Sequence, residues 1–148
     1  MLKGIPEIII PEFLYALSAM GHGDAVVLAD ANFPAYKFAR GHNLVHLPGV
    51  RMPELLRAVL DLFPVDHAHP EPGYVMEVTP QDVEAGVKTP IWEEYRRILK
   101  DKTGREGLGL IERQAFYDVA AGAELIVLTG ETALYANVLL YKGVIQPA

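Results

Sequence analysis

His22 sits between Gly21 and Gly23, Asp24 follows, and the chain then enters the wholly apolar run Ala25 to Ala29 and leaves it at Asp30. A second polar group lies far downstream, Thr129-Gly130-Glu131 and then Tyr135-Ala136-Asn137. Both stretches put proton-handling side chains at the edge of a hydrophobic segment. There a carboxylate or imidazole is held in place and partly dried, the setting in which pKa values move and acid–base chemistry becomes available. Glycine on both sides leaves room for a ligand to approach the His22 imidazole. The same residues also read as a helix stop at Gly21 with a turn histidine after it. Asp30 carries two readings as well: a carboxylate aimed with Glu131 into a crevice beyond the strand ends, or the start of a turn through Ala31-Asn32.

Tyr117, Tyr135 and Asn137 suit a ligand rich in hydroxyls. Tyrosine offers a donor and acceptor on a flat apolar body, and asparagine offers both hydrogen-bond senses at one centre. Taken singly, each also reads as a packing residue whose polar tip reaches water. His67 with His69, and His42 with His46, have spacings that two imidazoles can use to share a zinc ion, but no single element fixes a tetrahedral set, and solvated loop histidines are the expected outcome. Gly104-Arg105-Glu106-Gly107-Leu108-Gly109 follows a helix rather than a strand and lacks the Gly-Lys-Ser/Thr ending of a phosphate loop. Ser18 is the one serine and falls inside a helix, which excludes a nucleophile elbow.

These residues must be positioned by the elements between them. Pro11 suits a first helical turn, and Phe13, Leu14, Leu17 and Met20 share a face before Gly21. Ala25 to Ala29 and Leu125 to Thr129 read as strands buried on both sides. Leu44 to Leu47, Tyr74 to Val78, Leu108 to Ile111 and Val138 to Tyr141 supply weaker strands. Helices are expected from Pro53 to Pro64, from Pro90 through Leu99, and over Arg113 to Ala121. This alternation predicts an α/β fold, a largely parallel or mixed sheet covered by helices on both faces. Nothing resembling a linker or repeat divides the chain, so residues 1–148 are expected to form one domain.

The 148 residues carry no cysteine, so disulfides, thiolate metal sites and a cysteine nucleophile are excluded. A formal net charge of −6, with Lys and Arg scattered among acidic neighbours, argues against a nucleic-acid partner. The longest apolar runs fall far short of the roughly 20 residues that span a bilayer, and the N-terminus has no charged region followed by an apolar core, so a soluble, cytoplasmic protein is expected.

Gly21-His22-Gly23-Asp24, Asp30-Ala31-Asn32-Phe33-Pro34, Arg113-Gln114-Ala115-Phe116-Tyr117, Thr129-Gly130-Glu131, Tyr135-Ala136-Asn137 and Lys142-Gly143-Val144 together resemble the family of L-fucose mutarotase and D-ribose pyranase (RbsD/FucU). The resemblance covers nearly the whole chain. Gly23 after the histidine, Phe33-Pro34 after the aspartate turn, and Arg113 resemble the fucose branch, while Asn32 stands where that branch would have histidine. The resemblance implies three-layer α/β/α subunits in a ring-shaped homo-oligomer, often a decamer, with the sugar bound near subunit contacts and with neither metal nor organic cofactor. It implies L-fucose as the partner, with D-ribose as a further sugar, and no membrane.

Interconverting anomers needs one proton removed from the anomeric hydroxyl and one delivered to the ring oxygen. Each positioned proton-transfer group typically contributes about 10²- to 10⁴-fold. The resemblance makes His22 the principal acid/base, Asp30 its orienter or a binder of a sugar hydroxyl, and Tyr117 the second proton-transfer group; Arg113, Tyr135 and Asn137 then hold hydroxyls. A sugar-binding accessory without catalysis would use the same tyrosines and asparagine. A metal-assisted hydrolase would use His67 and His69.

Overall fold

The computed structural model describes residues 1–41 and 43–148. The helix α1 (Pro11–Ala19) takes proline in its first turn and buries Phe13 and Leu17. It stops before the glycine: Met20 is already extended, at φ −64° and ψ 140°. Its open carbonyl end is satisfied by a side chain instead, the Lys142 ammonium donating to Leu17 O at 2.7 Å and Met20 O at 2.5 Å. A cation at a helix C-terminus also meets the negative end of the dipole. The left-handed residue of this segment is therefore Gly23, at φ 86°, after the histidine rather than before it.

Strand β1 (Ala25–Ala29) is buried at every position. It is followed by the short helix α2 (Ala35–Phe38), β2 (Leu44–Leu47) and helix α3 (Met52–Leu60). Then come β3 (Tyr74–Met76), the short helix α4 (Pro80–Glu84), α5 (Ile91–Thr103), β4 (Gly109–Ile111), α6 (Arg113–Ala121), β5 (Leu125–Thr129) and β6 (Val138–Tyr141). The two short helices carry no periodic apolar face, and α4 buries none of its residues. Composition alone does not announce them.

Among the described residues the strands form one six-stranded sheet in the order β2-β5-β1-β6-β3-β4. β2, β5 and β1 run parallel, as do β3 and β4, while β6 is antiparallel to both β1 and β3. The sheet is thus mixed, and both faces are covered. Alternate strand residues Val26, Leu28, Val127 and Leu140 meet Phe13, Leu56, Val59, Tyr95 and Leu99 from α1, α3 and α5. Their neighbours Val27, Ile126 and Leu139 meet Phe33, Ala35, Phe116 and Ala120 from the α2 and α6 side. That is the three-layer α/β/α arrangement the pattern predicts. No helix among the described residues is long and apolar enough to cross a membrane.

Because β6 runs against β1 and β3, it begins at the edge where β1, β3, β4 and β5 end. Residues flanking five strands therefore converge on that edge, the position where open α/β sheets place ligands.

Candidate active site

At this edge lies a pocket of about 190 Å³. Asp30, directly after β1, is 6 % exposed. Its Oδ1 accepts the Asn32 N–H at 3.0 Å and its Oδ2 the Ala136 N–H at 3.4 Å. Its own N–H donates to the Asn137 side-chain oxygen at 2.8 Å. Burial raises the pKa of Asp30 above the ordinary carboxylate value; the Asn32, Ala136 and Phe33 N–H groups oppose that rise, and the Glu131 charge adds to it. The fold thus keeps at the pocket a carboxyl inclined to hold a proton.

Tyr135 occupies the left-handed region at φ 55°. For a non-glycine residue that conformation costs on the order of 1–3 kcal/mol, so its surroundings must impose it. They do: Trp92 Nε1 donates to Tyr135 O at 2.8 Å, and the Tyr95 hydroxyl donates to Ala136 O at 2.6 Å. The Tyr135 hydroxyl donates to the Asp82 carboxylate and accepts the Thr79 N–H at 3.3 Å, which ties α4 to the pocket mouth. Arg113 opens α6, and its guanidinium lies 5.5 Å from the centre of the Tyr117 ring one turn on. Tyr117 in turn stacks on Phe38 at 5.6 Å. An arginine fork, two phenols, two amides and two carboxyls beside the apolar Phe33 and Met76 make a small polar-lined recess.

Five of the residues singled out in the sequence, Asp30, Arg113, Tyr117, Tyr135 and Asn137, line this one pocket. Glu131 does not. Its Oε1 accepts the Met52 N–H at 3.1 Å and its Oε2 the Thr132 N–H at 2.9 Å, so it anchors the start of α3. Gly130 beside it is required by close approach, since a Cβ there would collide with Pro48 O. Asp82 was not foreseen; only its place four residues before the glycine at Gly86 marks it in the sequence.

His22 lies at the other end of β1. Five strand residues rise about 13–17 Å, which keeps its imidazole away from the pocket of its own chain. The carboxylate that meets it is Asp66, which sequence reasoning passed over: His22 Nε2 stands 3.2 Å from Asp66 Oδ1, with side-chain exposures of 58 % and 8 %. Asp66 Oδ2 also takes His69 Nδ1 at 3.0 Å, and Oδ1 accepts the Ala68 N–H at 3.1 Å. The Ala68 N–H first, and the two histidines after it, hold Asp66 below the ordinary carboxylate value despite its burial. The available signal was a carboxylate inside a histidine-rich loop.

His69 is not the solvated loop residue the spacing suggested, for it stacks on Tyr141 with ring centres 3.8 Å apart. His67 is exposed, and His46 on β2 points outward, with Nδ1 3.4 Å from the Tyr36 hydroxyl. His42 lies outside the described residues. Among those residues no group of three or more histidines and carboxylates is arranged to hold a metal ion.

The model of the RbsD / FucU transport protein family matches residues 3–145. A fucose mutarotase of Danio rerio is 48 % identical over 148 residues, covering 99 % of this chain and 96 % of its own. The crystal structure of FucU from Bifidobacterium longum superposes with a TM-score of 0.91 at 42 % identity, covering 97 % of this chain and 100 % of that one. The fucose mutarotase from Streptococcus pneumoniae, in complex with L-fucose, gives a TM-score of 0.88 at 40 % identity, covering 98 % and 100 %.

Proposed function

We propose that this chain, which belongs to the RbsD / FucU transport protein family, is a mutarotase that interconverts the α and β anomers of L-fucose. Relatives that match over nearly the full length include fucose mutarotases, one of them crystallised with L-fucose. The observation that carries the reading is the convergence of Asp30, Arg113, Tyr117, Tyr135 and Asn137 on one recess. At about 190 Å³ it is small beside the roughly 300–1,000 Å³ of drug-sized sites, in keeping with a monosaccharide. Its donors and acceptors outnumber what an apolar ligand could satisfy.

The reaction needs only proton transfers. A base takes the proton of the anomeric hydroxyl while an acid protonates the ring oxygen; the C1–ring-oxygen bond breaks and the open-chain aldehyde forms. Rotation about C1–C2 and the reverse transfers close the ring on the other face. Arg113 and Asn137 hold hydroxyls, and Tyr117 serves as proton carrier or polariser with its phenol. Asp30 binds a sugar hydroxyl at the pocket, its pKa raised by burial.

His22 is the principal acid/base in this reading, and its distance from the pocket of its own chain favours action on the pocket of a neighbouring copy. We propose a ring of copies, a decamer as the resemblance implies, in which the exposed His22 edge of one subunit closes the carboxyl-edge pocket of the next. Its support is that the Asp30 pocket contains no histidine, while the exposed His22 borders a separate cavity beside Leu17, Met20 and Lys142 that contains none of the residues assigned to hold sugar hydroxyls. One domain over residues 1–148, in a cytoplasmic protein, belongs to the same proposal.

The test is saturation-transfer NMR on L-fucose with purified protein and no additive. Magnetisation should pass between the α and β anomeric protons faster than in buffer. Exchange at the buffer rate with unaltered sugar binding would favour the sugar-binding accessory instead.

A further inference from the structure

The carboxylate of Asp66 is gripped from both sides by imidazoles, His22 Nε2 at 3.2 Å from Oδ1 and His69 Nδ1 at 3.0 Å from Oδ2. An ionised carboxylate can only accept, so both ring nitrogens that face it must carry hydrogen. His22 is thereby committed to carrying hydrogen on Nε2, which leaves Nδ1 as its unshared nitrogen. His69 is committed to Nδ1–H. His69 is itself locked: its ring lies flat on Tyr141 at 3.8 Å with the planes 5° apart, and the Tyr74 ring meets it edge-on at 6.3 Å. Arg105 fixes the loop backbone by donating to Asp66 O at 3.1 Å and His69 O at 2.8 Å.

We propose that His69 is a positioning residue for the anomer exchange, clamping the second oxygen of Asp66 so that the first holds His22 in one tautomer and one orientation. The reason is geometric. A carboxylate held only by His22 and the Ala68 N–H can swing about its Cβ–Cγ bond and offer either oxygen, whereas a second donor on Oδ2 removes that freedom. His22 itself is more than half exposed. The groups that surround the clamp are Tyr74, Tyr141 and Arg105, with Lys142 turned away to the carbonyls of α1. The carboxylate therefore has two imidazoles and one backbone N–H to satisfy, and no other side-chain charge competes for it among the described residues. This inference rests on the assignment of His22 as the proton-transfer group.

Two variants separate clamping from packing. His69→Phe keeps the stack on Tyr141 and removes the N–H; His69→Asn keeps an N–H donor near the Nδ1 position and loses the stack. If His69 positions Asp66, His69→Phe lowers the saturated exchange rate about 10- to 100-fold with KM within about threefold, the range seen when such an outer partner is removed, and His69→Asn restores most of it. Equal losses in both variants, or none in His69→Phe, would overturn the clamp. Long-range ¹H–¹⁵N correlation spectra give a readout apart from activity: His69 should appear as Nδ1–H and His22 as Nε2–H, with His22 passing to a mixture in His69→Phe. A wild-type protein without exchange activity would sink the functional reading. The spectra still decide the clamp in that case, because His69 found as Nε2–H overturns it.

Discussion

The two edges of the sheet each hold a buried carboxylate, Asp30 at 6 % and Asp66 at 7 % exposure, yet their proton affinities move in opposite directions. At Asp30 drying outweighs the backbone N–H groups that point at it, and Glu131 adds a like charge. At Asp66 the Ala68 N–H and two imidazoles outweigh the drying. Depth alone therefore does not set a carboxylate's character; the donors aimed at it do. The first edge keeps a group disposed to hold a proton inside a concave recess. The second keeps a fixed anion that orients an exposed imidazole. Two half-sites of different character, on opposite ends of one strand, are what a reaction between neighbouring copies would use.

The largest expected effect tests whether the halves belong to different copies. His22→Ala should lower exchange by about 10² or more with sugar affinity kept within a few-fold, and Asp30→Asn should also be impaired. Refolded together, the two defective proteins should regain activity, because some contacts then bring an intact His22 edge to an intact pocket. A mixture as inactive as its components would break the comparison.

A smaller effect is expected within the pocket. Asn137→Ala should weaken L-fucose binding by roughly 1–3 kcal/mol, since buried sugar hydroxyls lose a partner. Asn137 also accepts the Asp30 N–H at 2.8 Å, so the saturated rate should fall too. Calorimetric affinity beside the NMR rate separates the two, and a pure affinity loss would show that Asp30 holds its place without Asn137.

The smallest effect is the difference in pH dependence of stability. The depressed pKa of Asp66 contributes stability that is present above its unfolded value near pH 3.9 and lost as pH falls through its lower folded value. The raised pKa of Asp30 works the other way: its contribution is full below about pH 3.9 and lost as pH rises through its higher folded value. Urea midpoints measured across pH should therefore lose part of their acid-side fall in Asp66→Asn and part of their loss above about pH 4 in Asp30→Asn. The same change in both variants would mean the two carboxyls do not differ as described.

Much of this was legible in the residues. Ala25–Ala29, Leu44–Leu47, Leu125–Thr129 and Val138–Tyr141 form strands at the bounds their apolar runs suggest. Arg113–Ala121 is a helix as its spacing indicates. Asp30 was legible as a pocket residue because it adjoins the end of a strand, Asn137 because its amide suits a hydroxyl-rich ligand, and Arg113 only through the family resemblance. The segments that escaped were those without a period, α2 and α4, and with α4 went Asp82.

What the sequence by itself determined is what nearest neighbours along the chain decide: which runs are apolar enough to be buried, where proline and glycine interrupt them, and which polar residues stand at the interruptions. Only the tertiary structure decided which interruptions meet. A strand buried on both faces has no alternation to reveal its direction or its partner, so nothing local says that β6 lies reversed between β1 and β3. That one reversal brings Tyr135 and Asn137 to Asp30 and carries Tyr141 and Lys142 to the His22 edge, while the length of β1 itself separates His22 from the aspartate only eight residues away. Likewise Glu131 and Asp66 differ little as sequence, a carboxylate beside a hydrophobic run. One is spent on the amide of Met52 and the other on two histidines because strand pairing, a long-range event, chose their neighbours.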